Sequence, residues 1–200
     1  MKKTIQIALR ITIVTLVLTG FLYPFVVTGL AQVLFPWRAN GSLLENEKEQ
    51  VVGSELIAQS FTSPAYFQPR PSAAGAQGYD ATSSGSSNLG PTSKKLQDRV
   101  AEQLNELKDK NPDMPGSVPV ELVTTSGSGL DPHISPQAAL WQVPRIAYAR
   151  KTESERIRAI VQANIEGRQL GFIGEPRINV LLLNLALDRE FGHSIPIHGG

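Results

Sequence analysis

Apolar positions along the chain follow two regimes. Residues 11–35 form one run of 25 without a charged side chain, rich in Leu, Val, Ile and Phe. As a helix this run reaches roughly 37 Å at ~1.5 Å per residue, against a bilayer hydrocarbon core of about 30 Å. It predicts a membrane span. Tyr23-Pro24 lies mid-span and predicts a kink, and Phe35-Pro36-Trp37 places aromatics where an interfacial belt would lie. Gly29-Leu30-Ala31 also offers small residues at signal-peptidase spacing. The apolar run continues past that site through Val33-Leu34-Phe35, which favours retention as an anchor.

Beyond the span the apolar positions recur at short spacings between Gly/Ser/Pro stretches. Leu44, Val51, Val52, Leu56, Ile57 and Phe61 predict a partly helical stretch over 43–61, interrupted by Gly53. Residues 68–92 are poor in aliphatics and read as a loop, with Tyr66, Phe67 and Tyr79 as anchors against a flexible linker. Leu96, Val100, Leu104 and Leu107 predict an amphipathic helix over 91–110 that Asn111-Pro112 stops. Residues 118–124 alternate and are β-branched, as in a strand.

Ser135-Pro136 predicts an N-cap and first-turn proline, with Pro144 restarting the helix over 145–149. Thr152 and Glu155 suggest a capping box ahead of Ile157, Ile160, Val161 and Ile165, with Gly167 as the stop. Residues 180–187 are almost wholly Leu, Val and Ala. They fit a buried helix capped by Asn179, although periodicity alone leaves a buried strand open. The expected fold is α+β: a cytoplasmic N-terminus (1–10), a transmembrane helix (11–35), and one extracytoplasmic mixed α/β domain (36–200) with loops at 68–92 and 124–136.

Charge supplies the orientation. Of 19 Lys+Arg and 18 Asp+Glu, only Lys2, Lys3 and Arg10 precede the apolar run, and Glu45, Glu47 and Glu49 follow Arg38 with Lys48 as the one nearby base. The positive-inside rule puts the N-terminus in the cytoplasm and the bulk outside. A net charge of +1 argues against nucleic-acid binding, which needs a basic surface. With no Cys there is no disulfide framework, thiolate nucleophile or Cys-held metal. The span carries no charged residue of its own for an ion path.

Candidate chemistry is sparse. Ser126-Gly127-Ser128-Gly129 lacks the Gly-Lys-Ser/Thr ending of a phosphate loop and reads as a tight turn. Asp131-Pro132-His133 could chelate a metal or join Ser126 or Ser128 in a triad, but no nucleophile elbow is present. An Asp/His turn that satisfies loop amides is the plainer reading. His193 and His198 fall in a tail. Arg70, Arg145, Arg150 and Arg177 stand beside prolines or helix ends, as carbonyl caps or surface ion pairs. No catalytic or metal-ligating residue is assigned. Tyr23, Pro24, Arg70, Ser126, Gly127, Gly129, Asp131 and His133 are assigned to structuring loops or meeting partners.

The chain resembles a known family nearly end to end. The resemblance is carried by Tyr23-Pro24, Phe35-Pro36 with Ala39-Asn40-Gly41-Ser42, Tyr66-Phe67-Gln68-Pro69-Arg70-Pro71-Ser72-Ala73 and Ser84-Gly85-Ser86-Ser87-Asn88-Leu89-Gly90-Pro91-Thr92. Its most specific block is Ser126-Gly127-Ser128-Gly129-Leu130-Asp131-Pro132-His133-Ile134-Ser135-Pro136, supported by Gly174-Glu175-Pro176-Arg177-Ile178-Asn179-Val180 and Asn184-Leu185-Ala186-Leu187-Asp188. These blocks resemble the C subunit of the bacterial Kdp potassium-transporting P-type ATPase.

The resemblance implies a non-catalytic inner-membrane subunit of a high-affinity potassium uptake complex. Its partners would be an ATP-hydrolysing subunit, a channel-like potassium-binding subunit and a small accessory peptide. It also implies a catalytic chaperone that raises the pump's affinity for ATP, with Ser84, Gly85 and Asn88 as weak nucleotide-site candidates and no cofactor otherwise. Ser86 stands where the family pattern has a second Gly, and Asp80 where it often has Asn. The Gly pair underlies a proposed likeness to the signature loop of ABC ATPases. The alternative classes are a membrane-anchored extracytoplasmic serine hydrolase and a binding protein.

Overall fold

The computed structural model describes residues 1–46, 49–111, 114 and 116–193. Glu47 and Lys48, the Pro112 helix stop and His198 therefore lie outside the described residues. The chain divides into two units, Met1–Leu43 and Leu44–Gly200.

The first unit is one long apolar helix with a short appendix. It runs as α1 (Lys2–Val17), a π-helical turn (Leu18–Leu22) and α2 (Tyr23–Leu34), followed by the single turn α3 (Pro36–Ala39). Its 33 residues from Lys2 to Leu34 are long and apolar enough to cross a membrane. The break at Tyr23-Pro24 takes the form of the π turn, where Tyr23 N–H reaches back to the Leu18 carbonyl. Pro24 lacks an N–H, so the ladder must widen near it, and a π turn does so without ending the helix. The hydroxyls of Thr15 and Thr19 bond carbonyls one turn back at 2.8 and 2.7 Å, leaving no polar group of theirs facing outward unpaired.

The second unit is built on three helices: α5 (Pro136–Arg150), α6 (Ser154–Ala163) and α7 (Val180–Phe191). Val143, Ile146, Ile157, Val161, Leu183 and Leu187 are fully buried among them, joined by Phe67 from the long loop and by Ile134 and Ile178. The last two belong to β3 (His133–Ile134) and β4 (Ile178–Asn179), an antiparallel pair with His133 opposite Asn179 and Ile134 opposite Ile178. Asn179 then caps α7 by accepting the Leu182 N–H, so the apolar run after it is a helix and not a strand. Ser135 caps α5 in the same way through Ala138 N–H. Helix α4 (Lys94–Lys110) forms as its periodicity predicts, half-covering Leu96, Val100, Leu104 and Leu107 and ending at Asn111.

Several expectations are corrected. Among the described residues of 43–61 there is no helix; they include the strands β1 (Leu43–Glu45) and β2 (Val51–Ser54), a two-stranded sheet. Asn46 closes their turn, its backbone N–H donating to the Gln50 carbonyl and its side chain accepting Gln50 N–H. An Asx-type turn next to β-branched Val51-Val52 outweighs the helical spacing.

Residues 118–124 form a 3-10 turn (Val120–Leu122) instead of a strand. Adjacent Leu122 and Val123 are both buried while Val120 is exposed, which an alternating strand cannot achieve. The turn aims the Glu121 carboxylate at Ser135, whose backbone N–H (3.1 Å) and hydroxyl both donate to it.

Pro144 does not restart a helix; α5 is continuous through it. Gln142 and Arg145, on either side, are both bonded to the 64–68 segment, which holds the helix across the missing bond. The capping box at Thr152 is not made: Glu153 occupies the N-cap of α6, and the helix ends at Asn164, not Gly167. Asn164 Nδ2 donates to the Ile160 carbonyl and closes the last turn three residues early.

Candidate functional site

The two loops at 68–92 and 124–136 are one construction. Backbone N–H of Gly85 (2.8 Å) and the Ser84 hydroxyl (3.0 Å) both donate to the Ser128 carbonyl. Ser72 Oγ donates to the Gly129 carbonyl at 2.6 Å while accepting the N–H groups of Ala74 and Tyr79. Gly129 is the tightest point: it is buried at φ +68, and a Cβ there would meet the Gly85 carbonyl and lie 2.9 Å from Ala74 N. Only glycine fits such a position. Gly127, two residues earlier, faces open space. Residues 68–92 thus lack helix and strand, yet 68–87 are tied to the body by hydrogen bonds. The Tyr79 hydroxyl donates to the Arg70 carbonyl, and burial pushes that phenol up to about 12.

From this seam a line of ionisable side chains runs across the surface. Arg70 donates to the Thr125 carbonyl and stands 3.7 Å from Asp131. Asp131 Oδ1 accepts His133 N–H at 3.0 Å and meets His133 Nδ1 at 3.2 Å. His133 Nε2 lies 4.0 Å from Glu166, which pairs with Arg177 Nε at 2.9 Å. The bond from the His133 side chain, then its backbone N–H and the nearby His133 and Arg70 charges, hold the Asp131 carboxyl below its ordinary value against partial burial.

Sequence reasoning brought together Ser126, Ser128, Asp131 and His133, and the structure does gather them, but not as a triad. A triad places the base's second nitrogen on the serine. Here Nε2 points at Glu166, while Ser126 and Ser128 Oγ lie 3.4 Å from each other and accept the N–H groups of Asp131 and Leu130. Asn88 is exposed at φ +50, and the nucleotide candidates Ser84 and Gly85 are engaged with Ser128.

Two of the arginines are not surface groups. Arg145 is buried, bonding Asn111, the Pro64 and Tyr66 carbonyls and Gln142; burial pulls its guanidinium down to about 10. Arg150 makes a buried ion pair with Asp188 at 2.8 Å, and Tyr66 donates to the same carboxylate at 2.9 Å. Sequence reasoning missed this set. Its signal is polar residues at helical spacing inside apolar runs, 142 with 145 and 184 with 188.

One helix long and apolar enough to cross a membrane, and a second unit of mixed α and β structure with two hydrogen-bonded loops, have the layout of a membrane-associated protein. The model of the KdpC family, described as K+-transporting ATPase, c chain, matches residues 5–189. The Potassium-transporting ATPase KdpC subunit of Myxococcus xanthus is 60% identical over 192 residues, covering 96% of this chain and 90% of that protein. Those of Rhodospirillum rubrum (55%; 96% and 98% covered) and Koribacter versatilis (50%; 94% and 95%) are similar throughout as well. The chain belongs to the KdpC family.

Proposed function

We propose that the chain is a non-catalytic subunit of a high-affinity, ATP-driven potassium uptake complex. The observation that carries this reading is similarity over almost the whole length, body and span alike, to relatives named as that ATPase's KdpC subunit. The 33-residue helix anchors it in the cell membrane by a single pass. Lys2, Lys3 and Arg10 at its start against Glu45 and Glu49 beyond its end put the N-terminus in the cytoplasm and the body outside.

Its partners in this reading are the ATP-hydrolysing subunit, the channel-like potassium-binding subunit and a small accessory peptide. The interlocked loops, with Arg70, Gly129, Asp131 and His133, give the body a fixed surface to present to them. The chaperone role follows the family resemblance: an outside body raises the ATP affinity of the hydrolysing subunit through the assembled complex, as a coupling between distant sites.

The test has two arms. The tagged chain, solubilised in mild detergent, should carry the other pump subunits with it. A reporter active only in the cytoplasm, fused after Gly200, should be silent. Isolation of the chain alone would refute the subunit role, and strong reporter activity would overturn the topology.

A further inference from the structure

Residues 166–177 form a hairpin whose tip exposes large apolar side chains. Glu166 and Arg177 exchange both backbone bonds (2.8 and 3.1 Å), and so do Gln169 and Ile173 (2.9 Å each). Leu170 and Gly171 make the turn at φ +52 and +83, the left-handed pair of a tight hairpin turn. The first of these positions favours Asn, Asp or Gly, and a leucine is strained there. Leu170 is nevertheless 83% exposed, Phe172 72% and Ile173 47%. Neither turn geometry nor the core of this body accounts for that choice of residues. The hairpin's base is firm, because Ile178, next after Arg177, is fully buried in β4.

We propose that this tip is an anchor that seats in an uncharged, apolar pocket on a neighbouring subunit of the same ATPase complex, an inference that rests on the subunit reading above. Charge selects the occupant. Arg168 pairs with Glu175 at 2.7 Å and Arg177 with Glu166 at 2.9 Å, so the hairpin offers a neutral tip on a self-neutralised stem. An anionic lipid surface attracts segments with free Lys and Arg, which this stem lacks. Area argues against a second copy: three side chains cover at most a few hundred Å², where a stable pair buries about 800 Å² per partner. A contact this small suffices when another attachment already holds the two chains together, since the second event then occurs at an effective concentration of order mM. A subunit assembled around the same membrane span meets that condition.

The experiment uses the intact complex. A photo-crosslinking phenylalanine derivative replaces Phe172, and irradiation in native membranes should join it covalently to another pump subunit. The double variant Leu170→Ser/Phe172→Ser should keep the wild-type thermal transition and membrane insertion but retain at least tenfold less of that subunit through stringent detergent washing. Adducts confined to lipid or to a second copy, or undiminished retention by the double variant, would overturn the anchor. A wild-type chain that carries no pump subunit at all would instead defeat the subunit reading on which the anchor rests.

Discussion

The carboxamide of Asn184 holds Phe67 by both of its backbone groups, accepting the N–H at 2.8 Å and donating to the carbonyl at 2.9 Å. Gln142 does the same for Gln68, at 2.8 and 3.1 Å. Two helices, α7 and α5, thus offer side chains where a sheet would offer a neighbouring strand. The buried residues 65–67 are satisfied without belonging to a sheet. It is this clamp that lets the chain enter its long loop from the middle of the core.

Removing the clamp should be costly. Asn184→Ala leaves the N–H and carbonyl of a fully buried residue without partners, so we expect a loss of about 2–4 kcal/mol. Chemical denaturation of the full chain in detergent measures it; a loss under about 0.5 kcal/mol would show that the segment finds other partners.

The two glycines of Ser126-Gly127-Ser128-Gly129 should behave oppositely. Gly129→Ala puts a Cβ against the Gly85 carbonyl at φ +68, at a cost of about 2–4 kcal/mol. Gly127→Ala meets open space and should lie within about 0.5 kcal/mol of wild type. Equal midpoints for the two variants would refute the interlock between the loops.

Asp131 predicts a feature of the acid limb. Its carboxyl titrates below the ordinary range when folded, chiefly because of the bond with His133. A depressed folded value means its contribution is complete above the unfolded value of about 3.9 and is lost as pH falls through the folded one. Between about pH 5 and about pH 3, wild type should therefore lose stability more steeply than Asp131→Asn. Parallel acid limbs in the two proteins would contradict the assignment.

The span should be more than an anchor. Apart from its chain neighbours and the adjacent helix backbone, nothing lies within 4 Å of where a Cβ on Gly29 would stand, and the π turn of Leu18–Leu22 precedes Pro24. Small residues and widened turns suit close helix packing in membranes. Replacing residues 11–35 by polyleucine should preserve insertion yet weaken co-purification with the pump subunits. Unchanged co-purification would assign assembly to the body alone.

Legibility in the sequence followed locality only in part, since the Asn46 turn and the Asn164 end of α6 are local and were missed. The caps at Ser135 and Asn179 are set within a few residues and stand where their patterns put them; α4 forms from Lys94, three residues late, and the apolar run lies in a longer helix, Lys2–Leu34. Elements decided by distant partners were misread. The alternation at 118–124 gave way to a turn that delivers Glu121 to Ser135, and Pro144 was overridden by Gln142 and Arg145 gripping residues some 75–80 positions away. The site was half legible. Ser126, Asp131 and His133 are bonded within one turn-rich block, but its partner, Ser72 to Gly85, shares no pattern with it that spacing could reveal.

That division of labour within the block gives the sharpest functional test. Ser128→Ala removes a hydroxyl that accepts one N–H, from Leu130, and leaves untouched the carbonyl that receives Gly85 and Ser84. It should cost about 1 kcal/mol and spare the complex. Asp131→Ala removes the acceptor for both the backbone and the ring of His133, together with the partner of Arg70. It should loosen the body and lower subunit retention well beyond the serine change. A hydrolase using these residues would show the reverse pattern, with turnover abolished by either change and assembly intact. Potassium-stimulated ATPase activity and subunit retention, measured side by side on the two variants, separate the cases. Loss of activity in a fully assembled, stably folded Ser128→Ala complex would sink the structural role assigned to the loop.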